Sequence, residues 1–263
     1  WSIFDFALPG FLGSLKDFNN LYAKPIEQKA DETSLAALRR VTAPFMLRRL
    51  KTDKDIAADL PDKVVADDVA TLSHEQMGLY QAVAERAAER IRQGDRGATL
   101  ALLTALKQVC NHPANYDPDR FDATDAALSG KWSLLHDLLV PILAAGEQIV
   151  IFTQYVSMLK MLSGFIVQQH HVMPLAFHGE LAVGDRDKVV QKFQKKESPV
   201  LLVSLKAGGV GLNLTAANHV VMFDLWWNPA TEAQAVDRCF RIGQKKTVFV
   251  HRFITQGTFE ERI

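Results

Sequence analysis

From residue 130 onward the chain alternates short apolar runs with longer amphipathic stretches, and this alternation restricts its fold more than any other feature. Gln148–Thr153 (QIVIFT), Met173–Phe177, Pro199–Ser204 (PVLLVS), His219–Asp224 (HVVMFD) and Thr247–Ile254 (TVFVHRFI) each predict a strand, most of them too continuously apolar to face water on either side. Trp132–Ala145, closed by Gly146, and Val156–Gln169 and Asp185–Lys195 predict the helices between them. Strands that alternate with helices build a parallel sheet covered on both faces, with ligands expected at the carboxyl ends of the strands.

The sequence before residue 130 is mainly helical. Leu35 to Asp59 has helical character with paired basic residues, Arg39-Arg40 and Arg48-Arg49 with Lys51, and stops at Leu60-Pro61-Asp62. Lys63–Leu72 is rich in β-branched residues and predicts a strand. Ser73 then stands at an N-cap, with Gln76 in the capping-box position, for a helix running to about Gln93. A second helix from about Thr99 to Val109 ends before Asn111-His112-Pro113, and an Asp/Pro-rich loop from Asn115 to Asp125 leads to a boundary near Gly130. The expected organisation is residues 1–72, then a helical region over 73–129, then an α/β lobe over 130–263.

At 263 residues and 48% hydrophobic, the chain has enough apolar material for one large or two ordinary domains. Its 30 basic and 30 acidic residues cancel, so a case for a nucleic-acid partner must rest on local placement. Cys110 and Cys239 form no CxxC pair, which points to a reducing compartment, and Cys110-Asn111-His112 has no second Cys/His pair with which to hold a metal. No apolar run reaches membrane-spanning length and no signal pattern opens the chain, so a soluble intracellular protein without a membrane partner is expected. A start at Trp1 without methionine suggests an excised piece of a longer chain.

A self-sufficient nucleotide hydrolase of this architecture needs a glycine-rich loop ending in Lys-Ser/Thr to cradle phosphates. Gly130-Lys131 is followed by Trp132 and lacks the first glycine, and Asp224 at the end of an apolar strand is followed by Leu225 where a catalytic Glu would stand, so both read as structural. After Trp226-Trp227, Asn228, Pro229 and Glu232 start a helix that Gly243 can close. At helical spacing Gln234, Arg238 and Arg241 share one side, with Ala233, Val236 and Phe240 roughly opposite. Taken alone, such a stripe is a solvated face. Upstream, Gly208, Gly209 and Gly211 follow the strand PVLLVS, where glycines either turn backbone N–H groups toward an anion or make a plain tight turn. Leu214 occupies the third glycine position of the dinucleotide fingerprint, which disfavours an oxidoreductase.

Together, SLKAGGVGLNLTAA and DLWWNPATEAQAVDRCFRIGQ closely resemble motifs five and six of the Swi/Snf family of DNA-translocating ATPases, within helicase superfamily two. The resemblance extends along nearly the whole chain. WSIFDFALPGFLGS is similar to the segment after motif three of the first lobe, PFMLRRLKTD and DLPDK to the region that follows, LKQVCNHP to the helical insertion, FTQYVSMLKML to motif four and FHGELAVGDRDKVVQKF to the segment after it. Cys239-Phe240 replace the Ala-His of many members, leaving both arginines in place, and motifs one to three are absent.

The resemblance implies a RecA-like second lobe, preceded by the tail of the first lobe with its helical protrusion (1–72) and by the second lobe's insertion (73–129). It implies that Arg238 and Arg241, with Gln234 beside them, reach phosphates of an ATP whose Mg²⁺ is held mainly by the missing first lobe. Gly211 and Asn213 match the nucleotide side of motif five. Ser204, Lys206, Gly208 and Gly209 match its DNA side, with Thr153, Gln154, His178 and Gly179. Contacts of this kind hold a strand of double-stranded DNA without reading bases. Trp226 and Trp227 stand where large aromatics pack more often than they bind, though either could lie near DNA; Arg48, Arg49 and Lys51 suit phosphate contacts or a solvated surface equally. The function expected is half of a duplex-tracking, protein–DNA remodelling motor, intracellular and DNA-associated, unable to hydrolyse ATP by itself. The alternatives are a strand-separating helicase lobe and a non-catalytic DNA-binding or partner-docking module; the absent phosphate loop disfavours a small-molecule nucleotide enzyme.

Overall fold

The computed structural model describes residues 1–46, 60–95, 97–204 and 211–263, and the chain divides into two compact units, 1–58 and 59–263. The first unit is helical: α1 (Ser2–Ala7), α2 (Leu15–Phe18), a π-helical turn over Asn19–Ala23, α3 (Lys24–Lys29) and α4 (Glu32–Thr42). Short polar residues start two of these helices. Ser14 accepts the Asp17 N–H, and Asp31 accepts those of Thr33 and Ser34. Phe4, Phe11 and Phe45 form a ring cluster, yet Ile3 and Phe6 remain 81% and 92% exposed. Of the helical stretch expected over Leu35–Asp59, α4 covers the part up to Thr42 and a 3-10 turn follows over Ala43–Phe45; residues 47–59, with Arg48, Arg49 and Lys51, lie outside the described residues.

The second unit is built on one six-stranded, all-parallel sheet in the order β1-β6-β5-β2-β4-β3. Its strands are β1 (Lys63–Ala70), β2 (Ile149–Thr153), β3 (Leu175–Phe177), β4 (Val200–Ser204), β5 (His219–Met222) and β6 (Val248–Thr255). The helices are α5 (His74–Arg92), α6 (Ala98–Asn111), α7 (Pro113–Tyr116), α8 (Gly130–Ala144), α9 (Val156–His170), α10 (Val183–Gln194) and α11 (Pro229–Val236). Every residue of the central strands β2 and β4 is buried, as their unbroken apolar runs require. On one face Val150, Phe152, Leu201, Val203, Val220 and Met222 pack against Phe193 of α10 and Ala235 and Val236 of α11. On the other, Ile149, Ile151, Leu202, Val221 and Phe253 pack under α8 and α9, around Trp132, Leu139, Leu162 and Phe165.

Three sequence expectations are corrected. The strand at residue 63 is not the end of a first domain: β1 pairs residue by residue with β6, from Lys63↔Val248 to Ala70↔Thr255, so the sheet has six strands and the division falls at 58/59 instead of 72/73. A parallel partner so distant in sequence leaves no local trace. The second correction is β5, which ends at Met222, short of Asp224. The third is the helix after Asn228, which stops at Val236 and not at Gly243, leaving Arg238 and Arg241 in the irregular segment beyond it.

The region before α8 folds as its residues imply. Ser73 and Gln76 form the reciprocal capping box of α5, and Val83, Leu106 and Val109 make a small separate core. Gly130 is explained by packing: a Cβ there would sit 1.8 Å from the Thr71 carbonyl oxygen. Only glycine allows the start of α8 to approach the chain leaving β1.

Candidate functional site

Because all six strands are parallel, their carboxyl ends share one edge of the sheet. That edge brings together Thr153 and Gln154 after β2, His178 and Gly179 after β3, and Ser204 at the end of β4, with Thr153 directly opposite Ser204 in register. Lys206, Gly208 and Gly209 lie outside the described residues. The side chains on this edge are largely committed to the protein itself. Thr153, fully buried, donates its hydroxyl to Asp224 Oδ2 and so ties the end of β2 to the chain that follows β5. Ser204 is buried as well. Gln154 gives its N–H to Asp224 Oδ1 at 2.9 Å and its amide to the Leu225 carbonyl at 2.7 Å. His178 is mostly covered, with Nδ1 3.7 Å from Glu180, and exposed Gly179 accepts a 2.6 Å bond from Arg186.

Asp224 is the hub of a buried charged network. Asn111 at the end of α6 donates to Asp224 Oδ2 at 3.1 Å and accepts from Lys131 Nζ at 3.3 Å. Lys131, wholly buried, also meets Phe223 O at 3.0 Å and Glu260 Oε1 at 2.8 Å. Lys107 reaches Leu225 O at 2.6 Å and lies 4.6 Å from the Trp227 ring centre. Burial pushes the Asp224 carboxyl up from its ordinary range and the Lys107 ammonium down. These contacts account for the two motif-like features at residues 130–131 and 220–224. Lys131 is spent on Glu260 instead of a phosphate, and both Asp224 oxygens accept hydrogen bonds from Thr153, Asn111 and Gln154. Among the described residues no group of three or more His, Cys, Asp or Glu is arranged to hold a metal ion. The LKQVCNHP segment therefore acts through Lys107 and Asn111, a role that its helical pattern did not disclose. Cys110 sits in the same interior, its thiol pushed up to about 12 by burial. Trp226 packs against the core and donates its N–H to Glu232 Oε1 at 2.6 Å, whereas Trp227 is half exposed and stacks on Phe259.

The second group of candidate residues lies elsewhere. From the carboxyl edge, residues 211–217 and α11 both run back along the same sheet face toward the amino end of β5. Gly211 takes a positive φ of +24° there, and Gly211 and Asn213 are exposed. The Leu214 N–H donates to the Arg238 carbonyl at 2.9 Å, which sets the segment carrying Gly211 and Asn213 beside the arginine turn. Gln234 and Arg241 are exposed and Arg238 is half-buried; among the described residues no carboxylate forms an ion pair with Arg241. The stripe expected on one continuous helix is thus assembled from a helix and a turn, and it sits away from the carboxyl edge where the strand pattern alone placed all ligands. One residue escaped the sequence reading: Gln244, buried, whose amide bonds Thr215 O, Ala217 O and Cys239 O. Its signal was a polar residue directly after the helix-closing Gly243.

A parallel sheet with helices on both faces, an irregular strand-end segment and a paired-arginine turn define a RecA-like lobe of the helicase type. The helicase conserved C-terminal domain matches residues 130–243 and the SNF2-related domain matches residues 1–115. Bacillus subtilis YwqA, described as an ATP-dependent helicase/translocase, is 43% identical over all of this chain, which covers 29% of that protein. Among solved structures, the Sulfolobus solfataricus SWI2/SNF2 ATPase core in complex with dsDNA aligns with all of this chain and 55% of that one, at 37% identity and a TM-score of 0.68. The C-terminal domain of a Sulfolobus solfataricus SWI2/SNF2 ATPase aligns over 76% of this chain and 83% of its own length, at 33% identity and a TM-score of 0.65. The chain belongs to the Swi2/Snf2 family, and it spans less than a third of the length of the curated relatives it matches. No helix among the described residues is long and apolar enough to cross a membrane.

Proposed function

We propose that this chain is the second motor lobe, with its helical insertion and the tail of the first lobe, of a DNA-dependent ATPase that translocates along double-stranded DNA and remodels protein–DNA complexes. The observation that carries the proposal is the Leu214–Arg238 backbone bond, which joins the Gly211–Asn213 segment to an exposed turn bearing two arginines. Exposed Arg241 beside half-buried Arg238, in a chain whose sequence lacks a glycine-rich loop ending in Lys-Ser/Thr, suits a triphosphate held by a partner lobe. There Arg238 and Arg241, with Gln234 beside them, neutralise charge developing on the transferred phosphoryl group, a contribution of about 10³ to 10⁵ in turnover. ATP with Mg²⁺ supplies the reactive phosphate and is held mainly by the first lobe. This chain completes the site.

Gln154, His178 and Gly179 at the carboxyl edge, together with Lys206, Gly208 and Gly209, hold the phosphate backbone of one strand, and Thr153 and Ser204 stand at the adjoining strand ends. Backbone-directed contacts suit movement along duplex of any sequence. The solved relative in complex with dsDNA supports this choice of partner, and the setting that follows from it is intracellular and DNA-associated. The test is complementation. The chain alone, mixed with ATP, Mg²⁺ and duplex DNA, is expected to show no turnover, and addition of an intact first lobe is expected to restore DNA-stimulated hydrolysis. Turnover by the chain alone would refute the divided site, and failure of the lobe to restore it would favour a non-catalytic module.

A further inference from the structure

The arginine turn belongs to no helix or strand, so something else has to fix its shape. Over residues 237–247 the chain makes a series of turns, and exposed Arg241 sits in the middle of them. Gln244 is 5% exposed, and its side chain is the hub of this segment. The Nε2 group donates to Ala217 O at 2.8 Å, to Thr215 O at 3.1 Å and to Cys239 O at 3.3 Å. Oε1 accepts the N–H groups of Lys245 at 2.9 Å and Lys246 at 3.0 Å. The backbone N–H of Gln244 closes a turn onto Arg241 O at 2.9 Å. The amide orientation is fixed by these partners: rotated by half a turn, its NH₂ would face two N–H donors and its oxygen three carbonyls.

Cys239 lies between the two arginines, and Thr215 and Ala217 directly continue the segment that holds Gly211 and Asn213. One amide therefore joins the arginine turn to the nucleotide-side segment. We infer that Gln244 is a positioning residue for ATP hydrolysis, setting Arg238 and Arg241 relative to the 211–217 segment so that the guanidiniums meet the phosphates in register. This inference rests on the arginine assignment proposed above. A misplacement of about 1 Å in such a group lowers turnover by about 10²-fold.

The experiment uses the full-length protein and the variant Gln244→Glu, which keeps the side chain's shape and its acceptor oxygen but turns a carboxylate oxygen toward three carbonyls. Two affinities are measured, for ADP and for the transition-state mimic ADP with aluminium fluoride, together with DNA-stimulated kcat and the thermal midpoint. Positioning predicts that kcat and affinity for the mimic both fall by about 10²-fold while ADP and DNA affinities hold. It also predicts that Gln244→Glu adds little to the loss of mimic affinity already caused by Arg241→Ala, since residues acting as a unit are not additive. If the Glu variant does not fold, Gln244→Asn, which keeps the amide on a shorter arm, is expected to lower mimic affinity selectively and to a smaller extent. Additive losses, or equal losses for ADP and the mimic, would overturn the inference. Should Arg241→Ala alone leave mimic affinity and kcat intact, the arginine assignment fails; should it abolish them while Gln244→Glu changes nothing, the positioning role of Gln244 alone fails.

Discussion

The carboxyl edge of the sheet and the arginine turn are both candidate ligand surfaces, yet they are built in opposite ways. At the edge, Thr153, Gln154 and Asp224 spend their polar atoms on one another and on Asn111, with Lys131 and Glu260 completing a buried charged network. The turn has no regular secondary structure and keeps Arg241 in solvent, held by the Gln244 amide, the Leu214–Arg238 bond and the packing of Cys239 and Phe240 into the core. A surface that grips a polymer through backbone groups benefits from rigid strand ends. A group that meets charge only when two lobes close has to project from the fold, where it adds little to the stability of its own lobe. On the proposed reading, the contrast makes stability separable from the turnover of the whole motor.

The sharpest way to break that comparison is to remove the hub of the edge. Asp224→Ala removes the acceptor of the Thr153 hydroxyl, the Asn111 amide and the Gln154 N–H, and each buried donor left without a partner costs about 1–3 kcal/mol. Denaturant unfolding is expected to show that loss, and a change below about 1 kcal/mol would mean that the network does not hold the edge. A smaller effect is expected at Glu147, at the opposite, amino-terminal end of the sheet. Hydrogen bonds from Asn218, His219 and Lys246 pull its carboxyl down to about 2, below its ordinary 4.5. Because the folded value lies below the unfolded one, Glu147 stabilises the fold above the usual glutamate range, and the contribution disappears as pH falls from about 4.5 toward about 2. The carboxylate is a quarter exposed, so the contribution is of order 1 kcal/mol after solvent screening. Comparison of Glu147→Gln with the parent at neutral pH and at about pH 3 should show the stability gap narrowing in acid. A gap independent of pH would rule out this ionisation as its source.

Much of the fold was legible in the sequence because buried strands and capped helices leave local signals. The apolar runs placed β2 to β6 within a few residues, and Ser73 with Gln76 marked the start of α5. The pairing of β1 with β6 was not legible, since a half-exposed strand finds its partner through the whole fold. The site was legible as motifs but not as geometry. Thr153 looks like a donor in the sequence and is an internal bond in the structure; Arg238 and Arg241 look like one helical stripe and occupy a turn. Gln244 ends the motif-six stretch but received no role from it, because its importance lies in three carbonyls supplied by two separate segments.

The most direct measurement of the divided-site account is DNA-stimulated ATP turnover by full-length protein carrying Arg241→Ala, read beside its duplex-DNA affinity and its thermal midpoint. The account predicts turnover reduced by about 10³-fold or more with DNA affinity and midpoint unchanged. Retained turnover, or a loss of DNA binding that matches the loss of turnover, would contradict it.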